Sequence, residues 1–257
     1  MRIVVADDFV SVEQTISRAL EDKGDGTRTR HEVVGVRSPQ ALRKALASAS
    51  FDLAFVDMDF GRGVPDSGLV ALRFLDEAGV KAVVHSADSE DNRVLFLLAA
   101  FQFYEPVDMM SKSASDAEIR RLVDLMELGG VPDPAAFAKY RRPRHGPSLL
   151  DDLIGNMTDL RIWTALSAHS GRPEVARTAY VAVRRIDKFL SSRFEAMRAV
   201  ARLLGSDADA TEEPVPAGNQ TRLAPMHAFA VTHAHFFRDP EVPALVEKQD
   251  RSRRKRP

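Results

Sequence analysis

Between residues 1 and 127 the chain repeats one pattern five times: a short apolar run followed by an amphipathic stretch. The runs are 2–6, 32–36, 51–56, 80–85 and 107–110, mostly rich in Val, Ile and Phe. Near-continuous apolar runs of this length suit strands covered on both faces. The stretches near 10–22, 38–48, 67–78, 90–102 and 115–128 read as helices. Ser38-Pro39 opens the second with an N-cap and a proline at the first helical position. Strands alternating with helices build a parallel sheet through right-handed crossovers, with helices on both faces. The expected fold class is therefore α/β, a doubly wound five-stranded parallel sheet followed by a small all-α domain.

The ends of these runs carry the chemistry. Asp7 and Asp8 close the first, Asp57 closes the third with Asp59 two residues on, Ser86 follows the fourth and Lys112 the fifth. Ligands of open parallel sheets bind outside the carboxyl ends of the strands, so these residues are expected in one crevice. Asp7, Asp8 and Asp57 offer the hard oxygen ligands that Mg²⁺ prefers. A metal-bound carboxylate can attack phosphorus, while Lys112 and the Ser86 hydroxyl meet the phosphoryl oxygens.

Composition narrows the class. There is no cysteine, which excludes disulfides, thiol chemistry and Cys-ligated zinc. The apolar opening before Asp7 is too short for a signal peptide, and no stretch approaches the roughly 20 apolar residues that span a bilayer. A cytoplasmic protein is expected. The formal net charge of −1 conceals an asymmetry. Residues 1–127 hold 22 acidic against 15 basic residues, a net −7, whereas 161–202 hold nine basic against three acidic, a net +6. Such a split suggests a control module joined to something that meets a polyanion.

In this ordered set of strand-end residues, 1–127 resembles the receiver domain of two-component response regulators, a flavodoxin-like fold. The resemblance implies that Asp57 is the phosphoacceptor. It also implies that Asp7, Asp8 and Asp57 hold Mg²⁺ with the backbone carbonyl of Asp59, and that Ser86 and Lys112 assist. The implied partner is a sensor histidine kinase. Two positions depart from the usual pattern: Ser113 stands where proline commonly follows the lysine, and Met109 where an aromatic switch residue is usual. Met is flexible enough to repack by another route.

The expected domains are a receiver at 1–128, a linker at 129–148, a helical domain at 149–205 and a mostly disordered tail at 206–257. A short helix near 225–237 and a basic end from Arg251 to Arg256 mark the tail. Within the helical domain, Arg172 to Leu190 resembles the helix-turn-helix effectors of response regulators. Val175 and Ala176 would be buried in the first helix, Ala179 and Val181 would pack around the turn, and Ile186 and Phe189 would face inward from the second. Arg177, Arg184, Arg185, Lys188 and Arg193 would face DNA. Tyr180 stands near the place where glycine is usual. The same residues also fit one continuous amphipathic helix over 173–194.

The expected function is a phosphorelay response regulator that acts on promoter DNA as a homodimer, without a membrane partner. The alternative is a signalling adaptor whose receiver gates a protein partner through the helical half, with or without phosphate. No enzymatic output is expected: 149–205 has no Gly-rich phosphate loop, and His169 with Ser167 and Ser170 makes no triad. Leu95–Phe101 could be core or a self-association face, and His227, His233 and His235 read as incidental rather than metal-binding.

Overall fold

The computed structural model describes residues 1–21, 31–61, 64, 66–86, 93–143, 147–203 and 218–254. These residues form two compact units, one of Met1–Glu90 with Ala100–Arg141, the other of Asp91–Ala99 with Arg142–Pro257.

In the first unit, β1 (Arg2–Ala6), β2 (Glu32–Val36), β3 (Leu53–Val56), β4 (Lys81–Ser86) and β5 (Asp108–Ser111) form one sheet in the order β2-β1-β3-β4-β5. Every pairing is parallel, with Val5 opposite Gly35 and Phe55, and Val83 opposite Phe55 and Asp108. The order reverses at β1, and the crevice between β1 and β3 is where such sheets bind ligands. Five helices connect the strands or follow them: α1 (Val10–Leu20), α2 (Pro39–Ser48), α3 (Gly68–Ala78), α4 (Val94–Phe103) and α5 (Asp116–Glu127). Expected element boundaries agree to within a few residues, and the start of the fourth expected helix (90–92) lies outside the described residues.

Local chemistry explains the helix starts. Ser38 Oγ accepts from the Ala41 N–H, and Ser115 forms a capping box with Glu118. The alternate residues Ile3, Val5, Leu53, Phe55 and Val83 meet Ile16, Ala19, Ile119, Leu122, Val123 and Met126 in one buried cluster. One face of β1, β3 and β4 is thereby covered by α1 and α5. In α4, whose residues up to Ala99 belong to the second unit, Val94–Phe101 are all buried and Phe96 lies 5.2 Å from the Phe236 ring, so this apolar run is not an exposed face.

The expected linker is partly ordered. Pro134–Tyr140 form a 3-10 helix opened by Asp133, whose carboxylate accepts from the Ala135 N–H. Phe137 is buried there, stacked 4.9 Å from Phe101.

The second unit adds α6 (Leu149–Leu153), α7 (Met157–Leu166), α8 (Arg172–Thr178), α9 (Val183–Leu203), α10 (Asn219–Thr232), α11 (Ala234–Arg238) and α12 (Val242–Arg254). The last three correct the expectation of a disordered tail. Phe229 and Phe237 pack on buried Trp163 at 5.5 and 5.2 Å, and Phe236, Val242, Leu245 and Val246 are buried as well. These apolar residues are spaced among Pro225, histidines and charges, which diluted their signal. Residues 206–217 of the expected tail, and Lys255 and Arg256 of its basic end, lie outside the described residues. No described helix is long and apolar enough to cross a membrane.

Candidate functional site

Asp7 and Asp57 sit one residue beyond β1 and β3, both 1% exposed, at the crevice. Their backbone is held by the sheet: Asp57 N–H donates to Ala6 at 2.9 Å and Asp7 N–H to Val36 at 3.1 Å. Lys112, just past β5, donates to Asp57 Oδ2 at 2.6 Å and lies 2.9 Å from Asp7 Oδ2. Its own N–H donates to the Ser86 carbonyl at 3.0 Å, which ties the ends of β4 and β5. Ser86 is buried, and Met109 is half-buried opposite Val84.

The electrostatics follow from this crowding. Burial alone would push the Lys112 ammonium down, but hydrogen bonds and charge from Asp57 and Asp7 outweigh it and raise the pKa. Burial raises the Asp8 carboxyl, and the neighbouring Asp7 charge raises it further against the pull of Lys112. His85, next to Ser86, lies edge-on to Phe55 at 6.0 Å. Burial lowers its pKa to about 4, so its ring is neutral at pH 7.

Carboxylate oxygens of Asp7, Asp8 and Asp57 all lie within 4.8 Å of one another. Asp8 Oδ1 is buried with no hydrogen-bond partner among the described residues, and Asp7 Oδ2 meets Lys112 at 2.9 Å. A buried acceptor without a partner, in a cluster of three acids served by one ammonium, fits a hard divalent cation. The loop after β3 is shaped to this cluster. Gly61 has φ +72°, and a Cβ there would stand 2.7 Å from Asp8 Oδ2. The Asp59 side chain instead accepts from the Gly61 N–H at 3.0 Å. Asp66 accepts from Gln40, and Arg62 lies outside the described residues.

Two contributors escaped the sequence reading. Arg37 Nη1 donates to the Asp7 carbonyl at 3.2 Å, and its other nitrogen pairs with the Glu13 carboxylate. Gly35 leaves the room for that carboxylate, since a Cβ there would collide with it. Phe9 is exposed, its N–H donating to Asp7 Oδ1 at 2.9 Å and its ring 5.6 Å from Lys112 Nζ. Neither belongs to a recognisable motif. Arg37 and Glu13 stand 24 positions apart, and only the fold joins them.

In the second unit, α8 ends at Thr178 and α9 begins at Val183, so the continuous helix over 173–194 is excluded. Val175, Ala176, Ala179, Ile186 and Phe189 are buried, while Val181 is half-buried. The Val181 N–H donates to Ala176 and the Tyr180 N–H to Arg177, the paired bonds of a Schellman ending. Tyr180 occupies the position that glycine favours, with φ 57°.

The expected basic face divides. Arg177, Arg184 and Lys188 are exposed. Arg185 is half-buried, 3.6 Å from the buried Asp159. Arg193 is a correction: it donates to Asp159 Oδ2 at 2.7 and 3.1 Å and to the Asp152 carbonyl at 2.8 Å. Those bonds hold its guanidinium on α6 and α7. Of the histidines at 227, 233 and 235, the first two make internal contacts and His235 is exposed. His227 Nδ1 lies 2.6 Å from the Leu166 carbonyl, and His233 is buried 4.3 Å from the Phe229 ring.

No protein-family model matches the chain, and no curated protein matches it. Solved structures do. The two-component response regulator RcsB in complex with DNA is 12% identical with a TM-score of 0.52, over 87% of this chain and 98% of that one. A structure of two RcsB dimers bound to two parallel DNAs is 14% identical with a TM-score of 0.49, over 82% and 99%. The response regulator TrrA from Thermotoga maritima, in complex with Mg²⁺ and BeF, is 20% identical with a TM-score of 0.37, over 48% and 96%. The chain thus shares the fold of the RcsB structure with a TM-score of 0.52, a five-stranded parallel sheet followed by a helical unit.

Proposed function

We propose that this chain is a cytoplasmic response regulator, phosphorylated on Asp57 by a sensor histidine kinase and acting on promoter DNA as a homodimer. The observation that carries the first step is the pairing of Lys112 with Asp57 and Asp7 beside the unpartnered Oδ1 of Asp8. An Asp57 oxygen attacks the phosphorus of a phosphohistidine, and the P–N bond breaks as the imidazole leaves. Asp7, Asp8 and Asp57, with the backbone carbonyl of Asp59, would hold Mg²⁺. When bound, that ion neutralises charge on the phosphoryl oxygens. Lys112 turns from the carboxylates to the transferred group, and the Ser86 hydroxyl donates to another of its oxygens.

Support for DNA as the target comes from the helix-turn-helix arrangement of α8 and α9, with Arg177, Arg184 and Lys188 exposed around the turn. The likeness to RcsB, solved as a DNA complex, agrees with it. A dimer placing two such modules on one duplex gains affinity by raising the effective concentration of the second.

The test is incubation with acetyl phosphate and Mg²⁺, read by intact mass, then gel shift and size measurement with and without phosphate. Wild type should take up one phosphoryl group and Asp57→Asn none. Equal uptake by both, or none by wild type, overturns the reading.

A further inference from the structure

Tyr180 carries two costs that no contact among the described residues offsets. Its φ of 57° lies in the left-handed region, which costs a residue with a Cβ about 1 kcal/mol relative to glycine. Its aromatic side chain is also 86% exposed, with no hydrogen bond, ion pair or ring contact among the described residues. The Schellman bonds to Ala176 and Arg177 are made by the backbone alone, so glycine would serve them equally well. A retained outlier of this kind points to function.

Its surroundings name the partner. Arg177 lies three positions before it and Arg184 four positions after, both exposed and with no carboxylate in ion-pair range among the described residues. The exposed phenol and the two exposed arginines thus lie within eight positions of one another, about the turn between α8 and α9. We propose that Tyr180 is a contact to the sugar–phosphate backbone of double-stranded DNA, its hydroxyl donating to a phosphate oxygen flanked by Arg177 and Arg184. This rests on the DNA reading above and adds a residue that no helix-turn-helix pattern supplies. Backbone contacts of this type set position on the duplex and carry no sequence information.

The experiment measures binding of the full chain to a fluorescent mixed-sequence duplex over a salt series, together with thermal unfolding. Tyr180→Gly should melt no lower than wild type yet bind about tenfold more weakly, the size of one hydrogen bond to a charged group. Its salt dependence should be unchanged, because the phenol releases no counterion. Arg184→Ala should instead reduce the slope of log affinity against log salt by about 1. Tyr180→Phe should bind as weakly as Tyr180→Gly. The proposal is overturned if Tyr180→Gly binds within about twofold of wild type, if it melts lower, or if Tyr180→Phe binds like wild type. Wild type failing to bind the duplex at low salt would instead bring down the DNA reading itself.

Discussion

Lys112 Nζ lies 2.6 Å from Asp57 Oδ2, a pairing that closes 55 positions of chain at the mouth of the sheet. One ammonium serves two carboxylates that are 1% exposed, so its removal leaves two buried negative charges facing each other. Breaking a buried pair from one side costs about 3–5 kcal/mol. Lys112→Met should therefore lower the unfolding free energy by about 3 kcal/mol without divalent ions. Mg²⁺ should raise its melting temperature more than that of wild type, because the cation replaces the lost charge. Because the folded pKa of Lys112 is raised, its contribution is fully present below the unfolded value near 10.5 and is lost as pH rises through the folded value. An alkaline titration of stability should flatten in Lys112→Met. Equal alkaline loss in both proteins would refute the assignment.

His85 predicts the acid side. Its folded pKa of about 4 lies below the ordinary 6.5, so between those values the unfolded chain binds a proton that the folded chain refuses. Stability should fall as pH drops through that window, by about 3 kcal/mol for a difference near 2.5 units. His85→Leu keeps the contact with Phe55 apolar and should remove that share of the acid loss. Chemical denaturation at pH 7, 5.5 and 4 measures it, and parallel curves for the two proteins would exclude His85 as the source.

Arg37 grips the Asp7 carbonyl and Glu13 together. Outer partners of metal ligands typically contribute 10–100-fold in metal affinity. Arg37→Ala should weaken Mg²⁺ about tenfold by calorimetry, while phosphate uptake at saturating Mg²⁺ stays near that of wild type. Arg37→Lys, with a point charge in place of the fork, should recover only part. An unchanged dissociation constant in Arg37→Ala would leave Arg37 with a purely structural role.

Arg193 and Arg184 should separate folding from binding. Arg193→Ala strips the buried Asp159 of its closer cation and should destabilise the protein by about 3 kcal/mol. Arg184→Ala with Lys188→Ala, both exposed, should leave thermal stability nearly intact and weaken DNA binding with a shallower salt dependence. The reverse pattern, stability lost with the double substitution and kept with Arg193→Ala, would mean the basic face is misassigned.

The sheet and the acid cluster were legible for a common reason. Strands buried on both faces must be apolar along their length, and each run then ends where the chain leaves the core, so Asp7, Asp57, Ser86 and Lys112 announce themselves by position. The turn at 179–182 was half legible. Small buried residues pointed to it, but an aromatic stands where glycine is usual, and only the backbone dihedral shows that Tyr180 adopts the glycine conformation.

What lay beyond the sequence is partner choice between distant residues. Arg193 and Arg184 are the same residue type on one helix, nine positions apart. The first meets Asp159 across 34 positions and is internal, while the second faces water. Arg37 belongs to Asp7, and Phe229 and Phe237 to Trp163, for the same reason. Strand-end residues are placed by the local periodicity of the chain, which the sequence carries by itself. Which charge is spent holding the fold and which is left for a ligand depends on long-range packing. That packing alone also turned a polar-looking tail into three helices and an apparent DNA contact into a strut.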